Sequence, residues 1–166
     1  MSRDLLSAVD KVSVEVKPAS PKTNANVLLE VFREGKLITR REKHNLVVNS
    51  GKADMAARLL VTPSTLYQFM RLGYNGVTAS SAQTQITTVI ASSQMACNTA
   101  AMSGARTAKL GHTWTGGDFS ASGICEAGIF DLISGAGSKM LARVTFTAVD
   151  KDSSSTLKIT WTIKIN

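Results

Sequence analysis

Apolar and polar positions alternate most strictly near the end of the chain. Between 156 and 165, Leu157, Ile159, Trp161, Ile163 and Ile165 fall on one parity, and Thr156, Lys158, Thr160, Thr162 and Lys164 on the other. A period of two means an extended strand with one buried and one wet face. The same pattern predicts a strand over 139–149, with Met140, Ala142, Val144 and Phe146 inward and Arg143, Thr145 and Thr147 outward. It predicts a third strand over 124–130. Ser134, Gly135, Ala136 and Gly137 supply turn chemistry between the last two, and 150–155 is a short polar loop. The three strands read as an antiparallel meander whose apolar face needs a second layer.

Earlier in the chain, 27–33 is a strand, Glu34-Gly35-Lys36 a turn, and 37–48 the returning strand. Asn49, Ser50 and Gly51 stand where a helix cap belongs, ahead of a short helix over 52–60. Asp54 falls in its first turn, and Ala53, Ala56, Ala57 and Leu60 form the face expected to pack on the sheet. Pro63 follows as a stop. Segments 66–74 and 106–114 read as further strands, the second ended by Gly116-Gly117. Val12, Val14 and Val16 alternate with Ser13, Glu15 and Lys17, and a Pro/Ser/Asn linker follows. The expected architecture is mainly β: an antiparallel β-sandwich with one short α-helix, an extended N-terminal arm over 1–25 and a single domain over 26–166.

Charge adds a polarity to this picture. The chain of 166 residues carries a formal net charge of +7. Arg33, Lys36, Arg40, Arg41 and Lys43 cluster in and just before the second strand, whereas no charged residue occurs between Arg71 and Arg106. A basic edge implies an acidic partner, and a neutral tract holding Ile90, Met95 and Met102 implies packing against another surface. Arg40, Arg41 and Lys43 are the candidate partner-binding residues. No aromatic residue interleaves with them, so base stacking is not available there and nucleic acid is not the expected partner.

Catalytic and metal constellations are not legible. There is no G-x-S-x-G elbow, and His44 and His112 have no ligand partner at metal spacing. Glu126 and Asp131 fall on opposite faces of an extended strand, which argues against a carboxylate pair. Cys97 and Cys125 read as two buried thiols, a disulfide being open only in an oxidising medium. No enzyme activity and no cofactor are expected. No apolar run approaches the length that spans a bilayer, and the N-terminal residues do not read as a secretory signal, so no membrane partner is expected.

Several blocks taken together resemble a known group. They are HNLVVNSGK at 44–52 leading into a helix, RLGYNG at 71–76, a Ser/Thr/Ala tract at 77–85, ICEAGIF at 124–130, MLAR at 140–143 and the alternating last strand. Their order and spacing over 44–166 are similar to those of small structural virion proteins of tailed bacteriophages. The resemblance implies a virion protein made in the host cytoplasm, most readily a capsid decoration or cement protein. Its implied partners are further copies of itself, as a homo-oligomer, and a major virion protein, the capsid protein first of all. A tail, baseplate or fibre-attachment subunit is the alternative within the same group. A non-specific nucleic-acid-binding protein is the alternative outside it.

Overall fold

The computed structural model describes residues 26–60 and 65–164. The arm expected over 1–25, and Ile165 at the end of the last strand, lie outside the described residues.

The described residues form two five-stranded antiparallel sheets. The first contains β1 (Asn26–Arg33), β2 (Lys36–His44), β6 (Thr99–Gly104), β7 (Thr107–Trp114) and β10 (Ser155–Lys164), in the order β2-β1-β10-β7-β6. The second contains β3 (Leu46–Val47), β4 (Phe69–Gly73), β5 (Met95–Ala96), β8 (Ala121–Phe130) and β9 (Met140–Lys151), in the order β3-β9-β8-β4-β5. One helix, α1 (Asn49–Ala57), and a 3₁₀ turn (Ala91–Ser93) complete the elements. The expected β-sandwich with one short helix is the observed architecture.

The core lies between the sheets. Val27, Leu29 and Val31 of β1 and Leu157, Ile159, Trp161 and Ile163 of β10 meet Met70, Leu72, Ala127, Ile129, Ala142 and Val144 from the second sheet. Burial of this apolar area is the main stabilising term, and it explains why the alternation of β10 could be read directly from its sequence. Trp114 closes one side of the core, its Nε1 donating to the Ser93 carbonyl at 3.1 Å.

Three expectations about connectivity change. β8 and β9 do pair, but β10 lies between β1 and β7 in the other sheet, so the last three strands are not a meander. The polar loop before β10 carries the chain across the sandwich rather than around a hairpin. The strand expected over 37–48 is two strands: β2 stays beside β1, and after Asn45 the chain crosses to pair β3 with β9. A matching switch occurs at Cys97 and Asn98, where β5 of one sheet gives way to β6 of the other. The expected strand over 66–74 contracts to β4.

The helix also differs from its sequence reading. Val48 occupies the cap position and no side chain caps the first turn. Gly51 and Asp54 face the protein while Ala53, Ala56 and Ala57 are exposed. A Cβ on Gly51 would lie 2.5 Å from the Leu141 carbonyl oxygen, so glycine is what lets α1 approach β9 so closely. The tight turn between β1 and β2 places Glu34 (φ 49°) and Gly35 (φ 76°) in the left-handed region, as a two-residue hairpin of the right twist requires.

The second sheet is covered on both faces. By register, Arg71, Gly73, Glu126, Gly128 and Arg143 share the face opposite Met70, Leu72, Ala127 and Ala142. Over that outer face lies the neutral tract, whose Ile86 packs with Val48, Phe130 and Met140 in a second small core. β8 is consequently buried without interruption from Ile124 to Phe130.

Candidate docking surfaces

Arg143 was expected on a wet face. It does lie opposite Ala142 and Val144, but the covering loop removes it from water. Its guanidinium meets the Glu126 carboxylate at 2.7 Å, the two side chains being 1% and 0% exposed. A buried pair survives only when the remaining donors and acceptors are satisfied. Here Arg143 also donates to the carbonyls of Asn75 and Val77 and to Gln83 Oε1, each at 2.9 Å, and Glu126 Oε1 accepts the Asn75 amide at 3.0 Å. The pair thus pins residues 75–83 to the sheet. Glu126 is committed to Arg143.

Arg71 does the same for the turn between β8 and β9. It stacks 3.8 Å above the Phe130 ring and donates to the carbonyls of Leu132 and Ile133 and to Ser138 Oγ. Asp54, expected as a first-turn helix residue, is a hub. It accepts from Arg58 at 2.6 Å, from Tyr67 Oη at 2.7 Å and from Lys139 Nζ. Burial alone would raise its carboxyl, but the bonds from Lys139, Tyr67 and Arg58 outweigh it and hold the group well below the ordinary carboxylate range. Burial and the Asp54 carboxylate push the Tyr67 phenol upward. These clusters fix loops.

Cys97 and Cys125 are free thiols, the first half-buried and the second buried. Burial pushes the Cys97 thiol up to about 11, so it is no activated nucleophile at neutral pH. His112 donates through Nδ1 to the Ala96 carbonyl at 2.6 Å, and burial lowers its pKa. His44 is exposed at the end of β2. Among the described residues, no three His, Cys, Asp or Glu side chains gather as metal ligands. Among the same residues no helix is long and apolar enough to cross a membrane.

The candidate residues Arg40, Arg41 and Lys43 all lie on β2, the outermost strand of the first sheet. They do not form one patch. Arg41 and Lys43 share the register face of Leu29 and Val27, and Arg40 points the other way. Arg41 is half-buried and donates through Nη1 to the Thr147 carbonyl of β9, closing the gap between the two sheets. Arg40 and Lys43 are exposed, and Arg40 reaches Glu42 at 3.4 Å. A shallow groove of about 230 Å3 beside them is lined by Val31, Arg33, Ile38, Thr39, Arg41 and Val149.

The opposite edge was not singled out by residue, although the neutral tract containing it was. All six residues of β6 are exposed, none is charged, and Met102 is 66% exposed. Among the described residues β6 has a strand partner on one side only, β7.

Comparison with models of protein families, with curated proteins and with solved structures finds no match to this chain.

Proposed function

We propose that this protein is a structural subunit of a tailed-bacteriophage particle, a decoration or cement protein that docks on the capsid surface as an oligomer. The observation that carries the reading is the neutral, fully exposed edge strand β6, which offers an unpaired ladder for assembly. Three features agree with it. The buried ionic groups are committed to holding loops rather than to chemistry. Arg40 and Lys43 project from the other edge toward any acidic shell. The sequence blocks that resemble virion proteins include the strands and the loop that the Glu126–Arg143 pair ties together.

Copy number in purified particles is the test, measured by quantitative mass spectrometry against the major capsid protein. Copies in the hundreds are expected. A few to a few dozen would move the protein to tail, baseplate or fibres, and absence from clean particles would overturn the virion reading. Removing residues 1–24 is expected to lower particle occupancy and leave the fold intact by circular dichroism. The basic β2 edge favours one competing reading, non-specific nucleic-acid binding, which predicts DNA affinity falling steeply with added salt.

A further inference from the structure

An unpaired edge strand needs a reason to stay unpaired, and β6 has none of the usual ones. It contains no charge and no proline. Its only irregularity lies between Met102 and Gly104, next to the turn into β7. Its core-side positions, Ala100 and Met102, continue the row formed by Leu110 and Ala108 of β7 and by Trp161 and Ile163 of β10. Its outer positions, Thr99 and Ala101, flank the exposed Lys109. A strand that fits this edge would place apolar side chains over Met102 and small polar or acidic ones beside Lys109.

We infer that the outer edge of β6 takes up residues 12–16 of a second copy as an added strand. That segment reads Val-Ser-Val-Glu-Val. Val12, Val14 and Val16 would continue the Met102 row, and Ser13 and Glu15 would lie on the Lys109 side, giving the carboxylate a cation across the face. The backbone ladder supplies affinity and the alternation supplies register, as in other strand additions.

The register also favours a second copy as the donor of the segment. Asn26, Thr162, Lys109 and Ala101 form one row across the first sheet. The chain before Asn26 therefore enters at the sheet end where β6 turns into β7. To reach the β6 edge of its own copy it must cross four strand spacings, about 19 Å. A segment descending along that edge would run parallel to β6, with residues 18–25 as its whole connection. A parallel pair is slightly less stable per residue than an antiparallel one. An antiparallel segment would also have to return along its own length, drawing Lys17 to Asn26 out to about 25 Å of the roughly 30 Å that they can span, which costs chain entropy. A second copy meets neither cost and can pair antiparallel, as every strand pair between named strands of the sandwich does. Pairing of two β6 edges with each other would set two exposed Lys109 side chains on one face about 14 Å apart with no acid between them, whereas the segment 12–16 brings Glu15 to that face.

This inference rests on the self-association within the proposed function, but its test uses the isolated full-length protein, so its failure leaves particle copy number unaffected. Two single-site variants, V14C and M102C, are made in a C97S background, one of them tagged, then mixed and treated with a short bismaleimide. A tagged–untagged adduct is expected. Adducts of M102C with itself alone would overturn the segment in favour of paired β6 edges. An adduct formed only within a chain carrying both substitutions would overturn the donor assignment. The second measurement is self-association of M102K by light scattering, with circular dichroism as the check on folding. It is expected to weaken about tenfold or more, because a charged side chain then guards the edge. Unchanged association of M102K would overturn the proposal.

Discussion

The two sheets treat charge in opposite ways. The second sheet buries it: Glu126, Arg143 and Arg71 lie beneath loops, Asp54 of the covering helix α1 faces inward, and each is held by several partners. The first sheet carries exposed charge, most densely at one edge, on β2, and excludes it from the other, on β6. Charge under the loops fixes a conformation, because removing one member strands the other in a poorly polarisable medium. Charge on an edge costs little either way and instead decides which strands are free to pair. The difference separates residues that hold the protein together from residues that govern what it meets.

The sharpest way to break this contrast is at Arg143. Arg143→Ala leaves Glu126 buried without its cation and frees the carbonyls of Asn75 and Val77, so a loss of about 4 kcal/mol is expected in urea unfolding. Adding Glu126→Gln should return part of that loss, since no charge is then stranded. A loss under about 1 kcal/mol for Arg143→Ala would mean that the loop over the second sheet is not held by the pair.

Asp54 gives a smaller effect with a pH signature. Its carboxyl titrates well below the unfolded value of about 3.9, so its contribution is present above pH 4 and is lost as pH falls toward the folded value. Asp54→Asn should therefore lower stability by about 2 kcal/mol at pH 7. The gap to the unmodified protein should narrow steadily below pH 4. A gap of constant size across that range would assign the loss to shape rather than to charge.

How far such roles can be read from sequence depends on whether the deciding contact is local. β10 was legible because each apolar residue of its alternation meets the same core. The β1–β2 turn was legible because Glu34-Gly35 must adopt positive φ. The division of 37–48 into β2 and β3 was not, since no glycine or proline marks the switch at Asn45. A short polar loop looks alike whether it closes a hairpin or carries the chain between sheets, and so β10 was placed beside β9. Periodicity gave the correct face for Arg143 and the wrong environment, because the cover comes from residues 75–83, sixty or more positions away. The helix was misoriented for a similar reason: Asp54 is drawn inward by Tyr67 and Lys139, neither in its own segment. Adjacent Arg40 and Arg41 could have been assigned to opposite faces from the strand period alone.

The finest test of the contrast lies on β2. Replacing Arg40 and Lys43 with glutamine should change stability by less than about 0.5 kcal/mol, since both are exposed and Arg40 has only an exposed partner. Arg41 is left in place because its bond to the Thr147 carbonyl ties the sheets. If the charges guard this edge, self-association of the variant should rise through β2 while β6 remains available, and light scattering at moderate salt should register larger species. If they instead serve docking, association is unchanged and binding to particles loses its dependence on salt. Arg40 and Lys43 point to opposite faces of their strand, and a docking surface would use them unequally. The two single variants then separate the cases: equal effects follow from guarding an edge, and unequal effects from contacting a partner on one face.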